Sequence, residues 1–234
     1  MSAASDPDIG PVVRLRGVTR TYHRAGAPVE ALRGIDLDVT AGELVVLMGP
    51  SGCGKTTLLH ILGGLDRADH GMVQVAGSDL MVASQGALDR LRQREVGIVL
   101  QSDNLLATAT ARDQVALRLI ARGDGLRAAR AEADRLLSLV GLADRRHHRP
   151  AEMSGGEQQR VAFARALAGG PRLILADEPT GELDSDTTRG IIDLISLTNH
   201  DLGCTFVIAT HDPLFAAVGR VVRMRDGRVD EEPE

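Results

Sequence analysis

Gly49-Pro50-Ser51-Gly52-Cys53-Gly54-Lys55-Thr56-Thr57 stands between an apolar run, Leu44–Met48, and the stretch Leu58-Leu59-His60-Ile61-Leu62. The run has the length and apolarity of a buried strand, and the stretch after the loop suits a helix. The loop fits G-x-x-x-x-G-K-[ST] in the strand–loop–helix context that a phosphate-binding loop needs. Glycines let successive backbone N–H groups curl around phosphate oxygens, and the helix N-terminus adds the positive end of its dipole. Lys55 would reach the β- and γ-phosphates, and the Thr56 hydroxyl would ligate Mg²⁺. The plain alternative, a glycine-rich turn, accounts for the glycines but not for the lysine. The chain holds 26 arginines and one lysine, Lys55. So strong a bias leaves lysine only where a compact ammonium serves and a planar guanidinium does not.

Three further apolar runs, Val96–Leu100, Leu173–Ala176 and Thr205–Ala209, read with Leu44–Met48 as buried strands of a parallel sheet. They end at Gly49, Gln101, Asp177 and the Thr210-His211-Asp212 trio. Ligands of open α/β sheets bind at the carboxyl ends of the strands, so four candidate positions converge on one edge. Upstream, Ile35, Leu37 and Val39 alternate with Asp36 and Asp38. Val12, Val13 and Leu15 read similarly with Arg14 and Arg16, and Met72–Ala76 is another short strand. We expect a small antiparallel sheet here, closed at its far end by a hairpin about Asp226-Gly227. Between Gln101 and Ser154 the texture is helical: Leu126, Ala129, Ala133, Leu136, Leu137 and Val140 keep 3.6-residue spacing, and Gly141 stops the run. A helical block between strands implies a helical subdomain.

Composition narrows the classes. At 234 residues, with 43% hydrophobic and 25% charged, the chain has material for one large globular domain and is neither disordered nor fibrous. Its net charge of −5 argues against a nucleic-acid surface. Two cysteines, Cys53 and Cys204, make no disulfide framework and carry no metal-ligand spacing, which fits a reducing, cytosolic compartment. No apolar run approaches the ~20 residues of a spanning helix. Met1–Pro11 has neither the basic flank nor the apolar stretch of a secretion signal. The expected organisation is a tail at 1–11, one domain at 12–229 with its helical subdomain at about 102–160, and an acidic tail at 230–234.

Two more stretches carry chemistry. Leu173–Ala176 runs into Asp177 and Glu178; Asp177 would hold Mg²⁺ and Glu178 would polarise the attacking water. Alone, two acids at a strand end commonly cap the next turn, here Pro179-Thr180-Gly181. Ser154-Gly155-Gly156-Glu157-Gln158-Gln159-Arg160 has capping-box spacing at Ser154 and Glu157, and Val161, Ala164, Leu167 and Ala168 would form the buried face of the helix that follows. Such a start also exposes N–H groups to an anion, which need not belong to the same chain. His147-His148, among Arg145, Arg146 and Arg149, reads as a solvated basic loop rather than a metal site. Cys53 receives no catalytic role.

With these residues in place, the chain resembles the nucleotide-binding subunit of an ABC transporter, from about Val12 to Val229. Ser154–Arg160 matches the signature that separates that family from other P-loop ATPases. The resemblance implies a P-loop NTPase (RecA-like) parallel-sheet core with an N-terminal antiparallel β subdomain and an inserted α-helical subdomain. It implies two copies head to tail, with ATP between one chain's phosphate loop and the other's signature. Gln101 matches the loop that ligates Mg²⁺ and couples to the membrane partner. Leu183-Asp184 matches the interface loop, His211 the histidine that contacts the γ-phosphate, and Tyr22 the aromatic that stacks on adenine. Gly63-Gly64-Leu65-Asp66, Asn104-Leu105-Leu106 and Pro179-Thr180-Gly181 resemble ATPases of the lipoprotein-release and macrolide-export type, a pattern that cell-division regulator ATPases largely share. Glu182, Leu100 and Met153 depart from that group's usual Asn, Phe and Leu, and Glu182 bears on the hydrolysis rate.

The expected function is an ATP-hydrolysing motor on the cytoplasmic face of a membrane, serving a separate permease. A regulator that signals across the membrane is the second reading. A soluble repair or translation ATPase is the third, disfavoured because coiled coils, zinc modules and a second ATPase half are missing from the sequence.

Overall fold

The computed structural model describes residues 10–23, 27–100, 105–181 and 183–230. In chain order the strands and helices are β1 (Val13–His23), β2 (Pro28–Val39), β3 (Leu44–Met48), α1 (Lys55–Leu62), β4 (His70–Val75), β5 (Ser78–Asp79), α2 (Gln85–Arg94), β6 (Val96–Val99), α3 (Ala111–Arg122), α4 (Leu126–Leu139), α5 (Gly155–Leu167), β7 (Leu173–Asp177), α6 (Ser185–Leu202), β8 (Thr205–Thr210), β9 (Arg220–Arg225) and β10 (Arg228–Asp230).

Alternating burial builds the first sheet. Ile35, Leu37 and Val39 face the core while Asp36 and Asp38 face water, and β1 pairs antiparallel with β2 on one side and β4 on the other. The four-stranded order is β2-β1-β4-β5. The second sheet has six strands in the order β10-β9-β3-β8-β7-β6, with β9, β3, β8, β7 and β6 parallel. Both faces of that core are covered, as the continuous apolar runs require. Val46, Ile174, Phe206 and Ile208 pack toward α3, α4, α5 and α6, where Phe163 and Phe206 stack with ring centroids 6.0 Å apart. Val45, Leu47, Val207 and Ala209 pack on the opposite face against α1 and the first sheet.

Register fixes the functional edge. Met48 lies opposite Thr210, and Ala209 opposite Asp177, so β3, β7 and β8 finish level. The residues that follow them, Gly49, Glu178 and His211, therefore emerge side by side.

The hairpin about Asp226-Gly227 differs from the expectation. It joins β9 to β10 at the edge of the six-stranded sheet, not the antiparallel one. The reason is that β9 carries Val222 and Met224 into the core and pairs parallel with β3. The hairpin still touches the first sheet, where the Arg33 N–H donates to the Gly227 carbonyl at 2.7 Å. Asp230, assigned above to the acidic tail, closes β10 opposite Arg223. His148 is half-buried rather than solvated: its carbonyl accepts the Ala111 N–H at 2.8 Å, tying the basic loop to the start of α3. Helices α2 and α6 go beyond the sequence-based expectations. No helix among the described residues is long and apolar enough to cross a membrane.

Candidate nucleotide site

The phosphate loop is held by close backbone approach. A Cβ on Gly54 would come within 2.4 Å of the Ala31 carbonyl oxygen, and one on Gly49 within 2.1 Å of the Met224 carbonyl oxygen. Gly54 also has φ 108°, a conformation open to glycine at no steric cost. As the N-cap of α1 it supplies no side-chain acceptor, so the first turn keeps donors for an anion. The Lys55 ammonium has three donors. Two go to the carbonyls of Gly49 (2.7 Å) and Pro50 (3.2 Å), and the Cys53 Sγ lies 4.0 Å away.

Beside the loop, Asp177 ends β7 only 5% exposed. Burial pushes its carboxyl above the usual range, and the Thr56 hydroxyl, hydrogen-bonded to it, pulls the other way. Two hard oxygen donors thus meet, a fit for Mg²⁺ completed by phosphate oxygens and water. Among the described residues no cluster of His, Cys, Asp and Glu could hold a metal by itself.

Glu178 adopts φ 44°, unusual for a residue with a side chain and costing on the order of 1–3 kcal/mol. Its N–H donates to Ala209 O (2.8 Å), and its carboxylate accepts from the Thr210 hydroxyl at 3.1 Å. His211 Nδ1 lies 3.0 Å from Oε1 of the same carboxylate. The contact is a hydrogen bond in the tautomer that carries its proton on Nδ1, since an ionised carboxylate only accepts.

A cavity of ≈ 380 Å³ collects these groups. Ser51, Gly52, Gly54, Lys55, Thr56 and Thr57 line it from the loop, Glu178, Gly181 and His211 from the strand ends, and Val29, Glu30 and Ala31 from β2. Gly49, Pro50, Cys53, Asp177 and Tyr22 are not among its lining residues. Tyr22 lies opposite Val29 in the β1–β2 ladder, and its hydroxyl donates to Asp66 at 2.6 Å. Gln101 and Glu182 lie outside the described residues.

Ser154, Gly155, Gly156 and Glu157 do not line the cavity. They start α5 as a complete capping box, with the Ser154 N–H donating to Glu157 Oε2 at 2.8 Å and the Glu157 N–H to Ser154 Oγ at 3.3 Å. A Cβ on Gly156 would meet the Thr187 Cγ2 at 2.4 Å, so the signature packs hard on the first turn of α6. Asp184 is the N-cap of that helix and accepts the N–H groups of Asp186 and Thr187, both at 3.0 Å. Its capping role, the Thr210 hydroxyl on Glu178, Glu30 in the cavity wall and Arg20 on the Tyr22 ring are the site features that the sequence reading missed. A strand-end hydroxyl has no motif of its own, but a Ser/Thr/Asp before an apolar periodic run would have marked Asp184.

A phosphate loop, two strand-end acids and a neighbouring histidine on a parallel sheet edge define a P-loop nucleoside triphosphatase. Residues 32–181 match the family model described as ABC transporter. The lipoprotein-releasing system ATP-binding protein LolD of Ruegeria pomeroyi is 49% identical over 95% of this chain and 98% of its own. The macrolide export ATP-binding/permease protein MacB of Wolinella succinogenes is 41% identical over 96% of this chain but 35% of its own length. A solved dimeric structure of the ATP-binding cassette MJ0796, in a post-hydrolysis state with ADP and Pi, superposes with a TM-score of 0.88 at 38% identity, covering 95% of this chain and 98% of that one. The chain belongs to the ABC transporter family, as its ATP-binding ATPase cassette.

Proposed function

We propose that the chain is the ATP-hydrolysing motor subunit of an export or extrusion system, closing head to tail with a second copy on ATP and driving a separate membrane permease from the cytoplasmic face. What carries this reading is the meeting of Lys55, Thr56, Glu178 and His211 at one cavity while the signature helix start stands apart from it. A signature that does not reach its own chain's phosphate loop has an anion to contact on a second copy.

In this reading the loop N–H groups and Lys55 hold the β- and γ-phosphates, and Tyr22 takes the base. Glu178, braced by Thr210, orients the attacking water, and His211 addresses the γ-phosphate. Ser154 and Gly156 complete the partner's site. Thr56 and Asp177, with Gln101 by resemblance, would hold Mg²⁺, which neutralises phosphate charge when bound. The ATPase domain is read as 12–229, with Asp230 added where β10 ends, and its helical subdomain as about 102–160. The names of the similar proteins, lipoprotein release and macrolide export, favour extrusion over signalling.

Affinity purification of Glu178→Gln from detergent-solubilised host membranes in Mg²⁺-ATP tests the partner. Recovery of a stoichiometric multi-spanning chain is expected. Recovery of soluble chains alone, while the ATP-bound dimer forms, would overturn the motor reading.

A further inference from the structure

Tyr22 is the one tyrosine of a chain without tryptophan, and it is gripped from two sides. Its hydroxyl donates to Asp66 Oδ2 at 2.6 Å, and the Arg20 guanidinium carbon sits 4.8 Å from its ring centroid. The two supports are themselves joined: Arg20 donates to Asp66 Oδ1 at 2.8 Å and to Asp69 Oδ1 at 2.9 Å. Asp69 in turn accepts the Thr21 N–H at 2.6 Å, closing the cluster onto the backbone of β1.

Asp66 does not stand on β1. Its N–H donates to the His60 carbonyl near the end of α1, the helix whose other end closes the phosphate loop. Tyr22 is therefore referenced to the element that would carry the phosphates. Its cross-strand neighbour Val29 lines the cavity, which puts Tyr22 beside the cavity, just outside its lining. With a guanidinium on one face, a single face is left for a planar ligand.

Resting on the ATP reading above, we propose that Arg20 and Asp66 are a positioning pair that fixes Tyr22 with one face presented to the nucleobase. The pair acts on base affinity and leaves phosphate affinity alone. A ring held in place before binding loses no rotamer freedom when the base arrives, which is how preorganisation raises affinity. Stacking accepts any π-face, so the pair favours a nucleotide over its bare phosphates without choosing among bases.

The test is calorimetric titration of the full chain with Mg²⁺-ADP and with Mg²⁺-pyrophosphate, for Arg20→Met and Asp66→Asn, each on the Tyr22 and Tyr22→Ala backgrounds. Each variant should lose about two- to tenfold in ADP affinity, the order expected for ordering one side chain. Pyrophosphate affinity should not change, and neither variant should add to Tyr22→Ala, because the pair acts through the ring. Asp66→Asn should also raise the Tyr22 emission by removing a carboxylate from its hydroxyl, a signal with no other tyrosine or tryptophan to mask it. If Tyr22→Ala loses ADP affinity while both pair variants bind like wild type, the pair proposal is overturned and the base-stacking reading stands. Equal losses for ADP and pyrophosphate, or losses that persist without the ring, would make the cluster merely structural. Unchanged ADP affinity in Tyr22→Ala would overturn the stacking reading itself.

Discussion

The Lys55 ammonium donates to the Gly49 carbonyl at 2.7 Å, so the one lysine of the chain bridges the start and the end of the phosphate loop. A compact ammonium fits between the Gly49 and Pro50 carbonyls where a planar fork does not. Lys55→Ala and Lys55→Arg should both weaken nucleotide binding, by about 10- to 150-fold if one charge-assisted hydrogen bond of ~1.5–3 kcal/mol is lost. Equilibrium titration with Mg²⁺-ADP measures it, and unchanged affinity would remove Lys55 from the site.

The contact between Gly156 and Thr187 predicts a repairable defect. Gly156→Ala places a methyl 2.4 Å from Thr187 Cγ2 and should push the signature helix off α6. In the Glu178→Gln background it should abolish ATP-driven dimerisation, with ADP affinity of the single chain unchanged. Thr187→Ser deletes the offending methyl but keeps the hydroxyl that donates to Asp184 at 2.7 Å. Gly156→Ala with Thr187→Ser should therefore dimerise again. Failure of that rescue would mean that the glycine is needed for something other than this contact.

Glu157 links the signature to pH. The Ser154 N–H chiefly holds its carboxyl below the usual range against desolvation, and Arg145, 3.0 Å from Oε1, adds to it. A carboxyl lowered on folding contributes stability above its ordinary value, 4.5, and loses it as pH falls through the lower folded value. Thermal unfolding of wild type and Glu157→Gln should thus differ most near neutral pH, with the gap narrowing below about pH 4.5. A gap independent of pH would show that the charge contributes nothing.

Much of this molecule is legible in its sequence because both sheets are patterned by burial. The runs at β3, β7 and β8 announce strands covered on two faces, and the alternation in β2 announces one covered on a single face. Helix α2 escapes because only Leu88 and Leu91 of its ten residues are buried, too few for a periodic signal. The hairpin at Asp226-Gly227 is visible as a turn, but which sheet it joins depends on the pairing of β9 with β3, a long-range choice that no local pattern encodes. At the site, the loop and the strand-end acids are readable because their chemistry dictates spacing. Thr210 on Glu178 and Asp66 on Arg20 and Tyr22 are not, because those contacts join residues far apart in the chain.

In the proposed mechanism Glu178 drives hydrolysis in an ATP-closed pair of chains. Its φ of 44° and its two partners, Thr210 and His211, hold the carboxylate at the cavity that also holds Lys55. The most direct measurement is light-scattering mass of Glu178→Gln in Mg²⁺-ATP and in Mg²⁺-ADP, with the hydrolysis rate taken on the same samples. A dimer in ATP, a monomer in ADP and almost no phosphate release are expected. A monomer in both nucleotides, or hydrolysis at the wild-type rate, would contradict it.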